Sequence, residues 1–192
     1  PGLGRAALVL AFLLLLYAAI VGCYAAWKGR ENLLDSARRA LLAAFGTTAI
    51  AMTVLFTALA FNDFSIRYVW EHTSRDLPAI YRISALWGGQ EGSLLLWMFV
   101  LTFFAAAAVV LNRRLVTGTL PWAIPLFGFI SLFFAVVLVF VSSPFEAQAI
   151  PPDGLGLNPS LQNPYMAAHP PVLYLGYVGV SVPFVFAMAA LI

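Results

Sequence analysis

The chain has 192 residues, of which 62% are hydrophobic and 9% are charged, and its formal net charge is +2. A soluble domain of this size could not bury so much apolar surface, and the small net charge argues against nucleic acid as a partner. Five charge-free stretches are each long enough, at about 20 residues, to cross the hydrocarbon core of a bilayer. They cover residues 6–27, 40–61, 93–111, 120–141 and 171–192.

These stretches predict an all-α fold, a polytopic transmembrane bundle in which residues 1–192 form a single transmembrane domain. Backbone amides find no water partner in lipid, so each stretch should be a helix. The first stretch is too long for the apolar part of a cleaved signal peptide. The lone Cys23 cannot form a disulfide within the chain. Because the sequence opens on Pro1 and stops at Ile192 at an apolar stretch, we expect it to be a fragment of a longer protein.

The orientation follows from the distribution of basic residues. The connections at 28–39 and 112–119 share one side of the membrane and contain most of these residues, namely Lys28, Arg30, Arg38, Arg39, Arg113 and Arg114. The remaining basic residues are spread over much longer segments on the other side. The positive-inside rule therefore predicts that the N-terminus is outside, together with the loops at 62–92 and 142–170.

The first outer loop contains three features. Apolar and polar residues alternate between 64 and 71, which predicts an extended segment, with Phe64, Ile66, Tyr68 and Trp70 on one face. Residues 76–87 then predict a short interfacial helix. The glycines of WGGQEG predict a tight turn that places Glu91 near the start of the third span, where a carboxylate complements the helix dipole or positions a ligand or Arg82.

The second outer loop contains six prolines and no basic residue, which predicts an ordered cover with little helix or sheet. It ends at His169, and Pro170 and Pro171 suit the first turn of the fifth span. A neutral imidazole at this interface is a good ligand for iron, copper or zinc. A single histidine does not make a metal site, so a capping or hydrogen-bonding role remains the alternative.

Two segments, LPAIYRISALWGGQEGSLLLW and LNPSLQNPYMAAHPPVLYLGY, carry a resemblance that extends from about Arg67 to Ile192. They resemble the N-terminal part of the CcmF family of cytochrome c-type biogenesis proteins, which handle heme. The resemblance implies a heme lyase component at the periplasmic face of the cell inner membrane. Its substrate would be heme b, received from a heme chaperone and attached to the CxxCH motif of apocytochrome c. The implied partners are these two proteins, thiol-handling assembly factors and membrane lipid.

The family pattern assigns roles to several residues of this sequence. His169 matches the outward-facing histidine that serves as an axial ligand of heme iron. Trp87, Gly88 and Glu91 match a W-G-x-x-E-G-S block of pocket-forming residues, and Pro170 and Tyr174 lie in the H-P-P-x-L-Y-x-G-Y block as further pocket contacts. Gln90 stands where many members have histidine.

The resemblance leaves part of the ligand set outside this sequence, because it implies that the second axial ligand lies beyond Ile192. No catalytic acid or base is assigned, since thioether formation is mainly a task of positioning.

Three alternatives stay open. The chain could be a heme lyase of the type dedicated to nitrite reductase, a heme-handling or transport protein, or a structural membrane subunit in which His169 only caps a helix. A transporter would need ionisable groups or broken helices at mid-membrane, and the five apolar stretches contain no charged residue. The identity of the client cytochrome cannot be distinguished from these residues.

Overall fold

The computed structural model describes residues 1–112 and 118–192. Its α-helices are α1 (Gly2–Lys28), α2 (Glu31–Ala60), α3 (Arg67–His72), α4 (Ala79–Ser84), α5 (Gln90–Leu111), α6 (Leu120–Phe140), α7 (Pro164–Gly179) and α8 (Ser181–Leu191). Short 3-10 helices cover Ala85–Trp87 and Pro159–Leu161. The described residues form no strand and contain one isolated antiparallel bridge, between Ile66 and Ala147. The predicted all-α class is therefore confirmed.

Five helical segments are long and apolar enough to cross a membrane, as predicted. They are α1, α2, α5, α6 and the combined segment Pro164–Leu191, which contains α7 and α8. Helix α2 begins at Glu31, before the predicted apolar stretch at 40–61, because the polar segment ENLLDSARR continues the same helix. Most of the predicted connection at 112–119, with Arg113 and Arg114, lies outside the described residues.

Small residues bring the first, second and sixth helices close together. A Cβ atom on Gly128 would lie 2.9 Å from the backbone nitrogen of Ala19, and one on Gly22 would lie 3.3 Å from Pro125. Helix α1 also buries a row of alanines. Such close approach is typical of helix association in lipid, where packing rather than hydrophobic burial drives contact. Helix α1 therefore packs closely against both α2 and α6.

The segment of α7 and α8 is much less covered than the other spans. In its most apolar window 17% of the residues are buried, compared with 39–50% in the other four. The two helices are separated at Val180, and Pro183 has no N–H to offer the carbonyl of Gly179. The hydroxyl of Ser181 donates to the carbonyl of Val178, next to this break. This segment lies at the edge of the bundle.

The predicted extended segment is wrong beyond Ile66, because residues 67–72 form helix α3. Tyr68 and Val69 are both buried, which a helix achieves and an alternating strand cannot. Arg67 also pairs with Glu71 at 2.8 Å, one helical turn away. The stretch is so short that its alternation of apolar and polar residues does not distinguish a strand from a helix.

The predicted short helix and tight turn are present. Helix α4 and the following 3-10 turn cover residues 79–87, within the predicted 76–87. Gly88 and Gly89 then connect them to α5, and Glu91 lies in the first turn of that helix.

The predicted start of the fifth span is wrong, because α7 begins at Pro164 rather than at Pro170–Pro171. The side chain of Asn163 accepts a hydrogen bond of 2.9 Å from the backbone N–H of Tyr165, and Pro164 occupies the first helical position. The Asn–Pro pair thus combines a capping side chain with a proline at the first helical position, whereas no capping side chain precedes the double proline. His169 consequently lies on the helix, and the second loop ends at residue 163.

The two long loops pack on each other, as predicted for an ordered cover; we call residues 61–89 and 141–163 the cap layer. Leu155 N–H donates to Trp70 O at 2.8 Å, and Gly156 N–H donates to Thr73 O at 3.0 Å. Phe145 is buried against Gly4 of α1, where a Cβ atom would overlap its ring. The cap layer thus joins the helix ends at one end of the bundle.

Candidate functional site

Tyr68 organises the turn that precedes α5. Its hydroxyl donates to the carbonyls of Ala85 and Leu86, at 2.9 Å and 3.1 Å. The same oxygen accepts a hydrogen bond of 3.1 Å from the N–H of Gly89. Burial, reinforced by the nearby charge of Glu91, raises the pKa of Tyr68 well above that of a free tyrosine. The phenol therefore stays neutral and can act as a donor.

The glycines of WGGQEG are required by this packing. A Cβ atom on Gly92 would overlap the carbonyl of Leu86 and the hydroxyl of Tyr68, and one on Gly89 would overlap the imidazole of His72. Gly88 leaves little more room, since its Cβ would lie 2.9 Å from Leu157 of the second loop. The glycines of the motif thus allow residues of the cap layer to approach the backbone of this turn closely.

His72 has a structural environment. Its ring stacks on that of Tyr68 with centroids 4.3 Å apart, and its Nδ1 lies 2.9 Å from the carbonyl oxygen of Tyr68. Because a carbonyl can only accept, Nδ1 must carry the proton. His72 therefore supports Tyr68 and the turn.

Glu91 lines a polar cleft of about 230 Å³ together with Arg67, Tyr68, Glu71, Ser142, Ser143, Glu146 and Val141. In this cleft Arg67 is paired with Glu71 at 2.8 Å and with Glu146 at 3.2 Å. The alternative in which Glu91 pairs with Arg82 is wrong. The guanidinium of Arg82 instead donates to backbone carbonyls, at 2.8 Å to both Leu77 and Arg75.

His169 lies on the exposed side of α7. It borders a groove of about 430 Å³ whose other lining residues are Val172, Leu173, Gly176, Tyr177 and Val180. A second apolar groove of about 390 Å³ shares Tyr177 and Val180 with the first and extends to Trp97 and Phe184. One face of α7 therefore presents a single imidazole beside a long apolar surface.

The predicted site residues fall into two groups at the same end of the bundle. His169 and Pro170 belong to α7. Trp87 and Gly88 belong to the turn before α5 and Glu91 to the first turn of α5, and none of these three lines the groove of His169. Helices α4 and α7 touch, so the groups are neighbours. Tyr174 faces the bundle, where its ring stacks on Trp97 with centroids 5.6 Å apart.

Two further residues of this region were not predicted as site residues. Tyr68 looked like one of several apolar residues in an alternating stretch, and its contacts with the turn arise from the fold. Trp97 closes the resemblance block LLLW, but nothing in its spacing indicates a partner on α7. Among the described residues, no group of three or more His, Cys, Asp or Glu side chains could hold a metal ion.

Comparison with known proteins gives consistent results. The family model described as "Cytochrome C assembly protein" matches residues 87–192. The cytochrome c-type biogenesis proteins CcmF of Haemophilus influenzae and Pseudomonas aeruginosa are both 40% identical to the chain, covering 98% and 100% of it and 30% of their own lengths. NrfE of Haemophilus influenzae, also a cytochrome c-type biogenesis protein, is 35% identical and covers 100% of the chain and 30% of its own length.

A solved structure has the same fold. The structure titled "Cytochrome c Heme Lyase CcmF" has a TM-score of 0.81 and 30% identity, covering 98% of this chain and 30% of its own length. The chain thus spans about three tenths of the length of the relatives that it matches. Because the family model covers more than half of its residues and the fold agrees, this protein belongs to the cytochrome c assembly protein family.

Proposed function

We propose that the protein acts in cytochrome c maturation as part of a heme lyase, and that His169 binds the iron of heme b as an axial ligand. Heme is the substrate, to be joined to the CxxCH motif of apocytochrome c. The observation that carries the proposal is the exposed imidazole of His169 at the border of an apolar groove. The names of the relatives support the same process.

The residues of the groove fit this substrate chemically. Heme is a flat apolar ring with two carboxylates and an iron that imidazole binds well. A volume of about 430 Å³ lies within the range of about 300–1,000 Å³ that is usual for cofactor-sized ligands. Pro170 and Pro171 follow His169 directly inside α7 and fix φ at these two positions. The contribution of the chain is ligation and orientation, not proton transfer.

The turn before α5 has a supporting role in this proposal. Trp87 and Gly88 shape the turn that follows α4, and α4 contacts α7. Glu91 supplies negative charge to the neighbouring cleft. Tyr174 fixes the opposite side of α7 against the bundle. These residues would form the wall next to the heme site.

The proposed setting is the periplasmic face of the cell inner membrane, with the N-terminus on that side. The cap layer and the first turn of α7 would then face a heme chaperone, apocytochrome c and its thiol-handling factors.

The test uses the protein in its own membrane, with His169→Ala and His169→Gly. We expect both variants to insert normally, to retain less heme and to mature less cytochrome c. Added imidazole should restore part of the activity of His169→Gly, because a free ligand can fill the space. His72→Gln is the matched control for loss of a histidine. Normal heme content and maturation in His169→Ala would reduce His169 to a surface residue of α7 and overturn the proposal.

A further inference from the structure

The rotational setting of α7 depends on very few contacts. Of its 16 residues, only Val178 is buried. Val178 packs with Val100 and Leu101 of α5 in a small separate cluster, to which Leu96, Trp97, Phe99, Phe104, Ile130 and Phe134 add partly buried side chains. Tyr174 lies one turn before Val178, on the same side of the helix. These two residues define the side of α7 that faces the bundle.

Trp97 connects this side of α7 to the rest of the bundle. Its indole ring lies 5.6 Å from the ring of Tyr174, at an interplanar angle of 31°, and 5.3 Å from the ring of Phe134 on α6, at 33°. Aromatic pairs at such distances stabilise a defined mutual orientation. In lipid, where hydrophobic burial does not hold helices together, contacts of this kind are a main source of specificity. Trp97 therefore lies between α6 and α7 as an aromatic spacer.

Helix geometry passes this orientation on to His169. Tyr174 lies five positions after His169, which at about 100° per residue places the two about 140° apart around the helix axis. With Tyr174 held against Trp97, His169 must face away from the bundle, where it is exposed beside the groove. A rotation of Tyr174 about the helix axis also turns His169, since both residues belong to the same helix.

We propose that Trp97 is a positioning residue, which sets the rotation of α7 and thereby the direction of the His169 imidazole. Its effect on heme rests on the proposed function, whereas its effect on α7 does not. Trp97 itself need not touch the substrate.

The first measurement does not involve heme. With Cys23 changed to Ala, cysteines at Leu101 and Val178 report the contact between α5 and α7 through oxidative cross-linking in membranes. Trp97→Leu should lower the cross-linking rate by roughly twofold to tenfold, in line with the loss of an aromatic pair. Trp97→Phe should stay close to the parent rate. Phe129→Leu is the matched control, because Phe129 is a half-exposed aromatic residue on α6 that takes no part in this cluster.

The second measurement follows the heme that copurifies with the protein, by its absorption spectrum and its amount. Trp97→Leu should shift the spectrum and lower occupancy in the direction of His169→Ala, and Trp97→Phe should restore both. A variant that is only destabilised would contain less heme, and the spectrum of that heme would not shift.

The outcomes separate the two proposals. An unchanged cross-linking rate in Trp97→Leu overturns the role of Trp97, whatever His169→Ala does. A reduced rate with an unchanged heme spectrum also overturns it, provided that His169→Ala loses heme. If His169→Ala keeps its heme, the proposed function fails, and the cross-linking rate alone decides whether Trp97 sets α7.

Discussion

The backbone N–H of Gly89 donates to the phenol oxygen of Tyr68 at 3.1 Å, although 21 positions separate the two residues. The same phenol donates to the carbonyls that close the 3-10 turn before Gly89. One buried side chain therefore supplements the turn's own hydrogen bond, which runs from the N–H of Gly88 to the carbonyl of Ala85 at 3.0 Å. Since the turn begins α5, Tyr68 links the cap layer to the transmembrane bundle.

Tyr68→Phe should destabilise the protein by about 1–3 kcal/mol, because it leaves buried polar groups of the turn without a partner. Unfolding in mixed detergent micelles measures the change. Tyr17→Phe is the control, since it removes an exposed hydrogen bond to Ser36 and should cost less than about 0.5 kcal/mol. Equal effects of the two substitutions would contradict the role of Tyr68.

Gly92→Ala should be strongly destabilising, by about 1–3 kcal/mol or more, because the added methyl group overlaps Leu86 and Tyr68. Gly46→Ala offers the opposite case. A Cβ atom at Gly46 meets nothing within 4 Å, and alanine should stabilise helix α2 by about 0.5–1 kcal/mol. The same unfolding assay compares the two, and a tolerated Gly92→Ala would show that the turn can move apart.

The contact between the two loops should weaken in acid. The backbone N–H groups of Arg75 and Gly154 donate to the carboxylate of Asp153, which lowers the pKa of Asp153 below its ordinary value of 3.8. The stabilisation is therefore fully present above pH 3.8 and is lost as the pH falls through the lower pKa of the folded protein. Hydrogen exchange of residues 142–163 should rise in this acid range, and Asp153→Asn should remove the dependence. A rise of equal size in the Asn variant would assign it to another group.

The proposed orientation can be checked by cysteine labelling. In a Cys23→Ala background, Ser160→Cys should react with a membrane-impermeant reagent on intact cells, and Ser36→Cys should react only after permeabilisation. The expectation rests on the basic residues near 28–39 and the positive-inside rule. Labelling of position 36 alone would invert the orientation, and the heme site would then face the wrong compartment.

The sequence predicts the spanning helices well because lipid leaves the backbone few alternatives to a helix. It predicts their ends less well where capping decides them. Asn163 and Pro164 start α7 before the apolar stretch begins, and Glu31 starts α2 in a polar segment. Apolar periodicity does not detect either start, whereas attention to the Asn–Pro pair would have found the first.

The candidate site shows the same division. His169 could be selected from the sequence because histidine is rare in this chain and its motif resembles that of a known family. The exposed position of its side chain on α7 depends on the helix start at Pro164, and so was not predicted. The contacts of Tyr68 and Trp97 join segments that are distant in the chain, and a local pattern contains no information about them.

The bridge between Ile66 and Ala147 has a consequence for the order of synthesis and assembly. Helices α1 and α2 are neighbours in the chain and can pair as soon as both have entered the membrane. The cap layer cannot close until α6 has been made, because Gln148 donates to the carbonyl of Ser65 across more than 80 residues. Contacts of such long sequence separation form late. The growing chain therefore carries residues 62–89 as an open loop until residues 141–163 have been made.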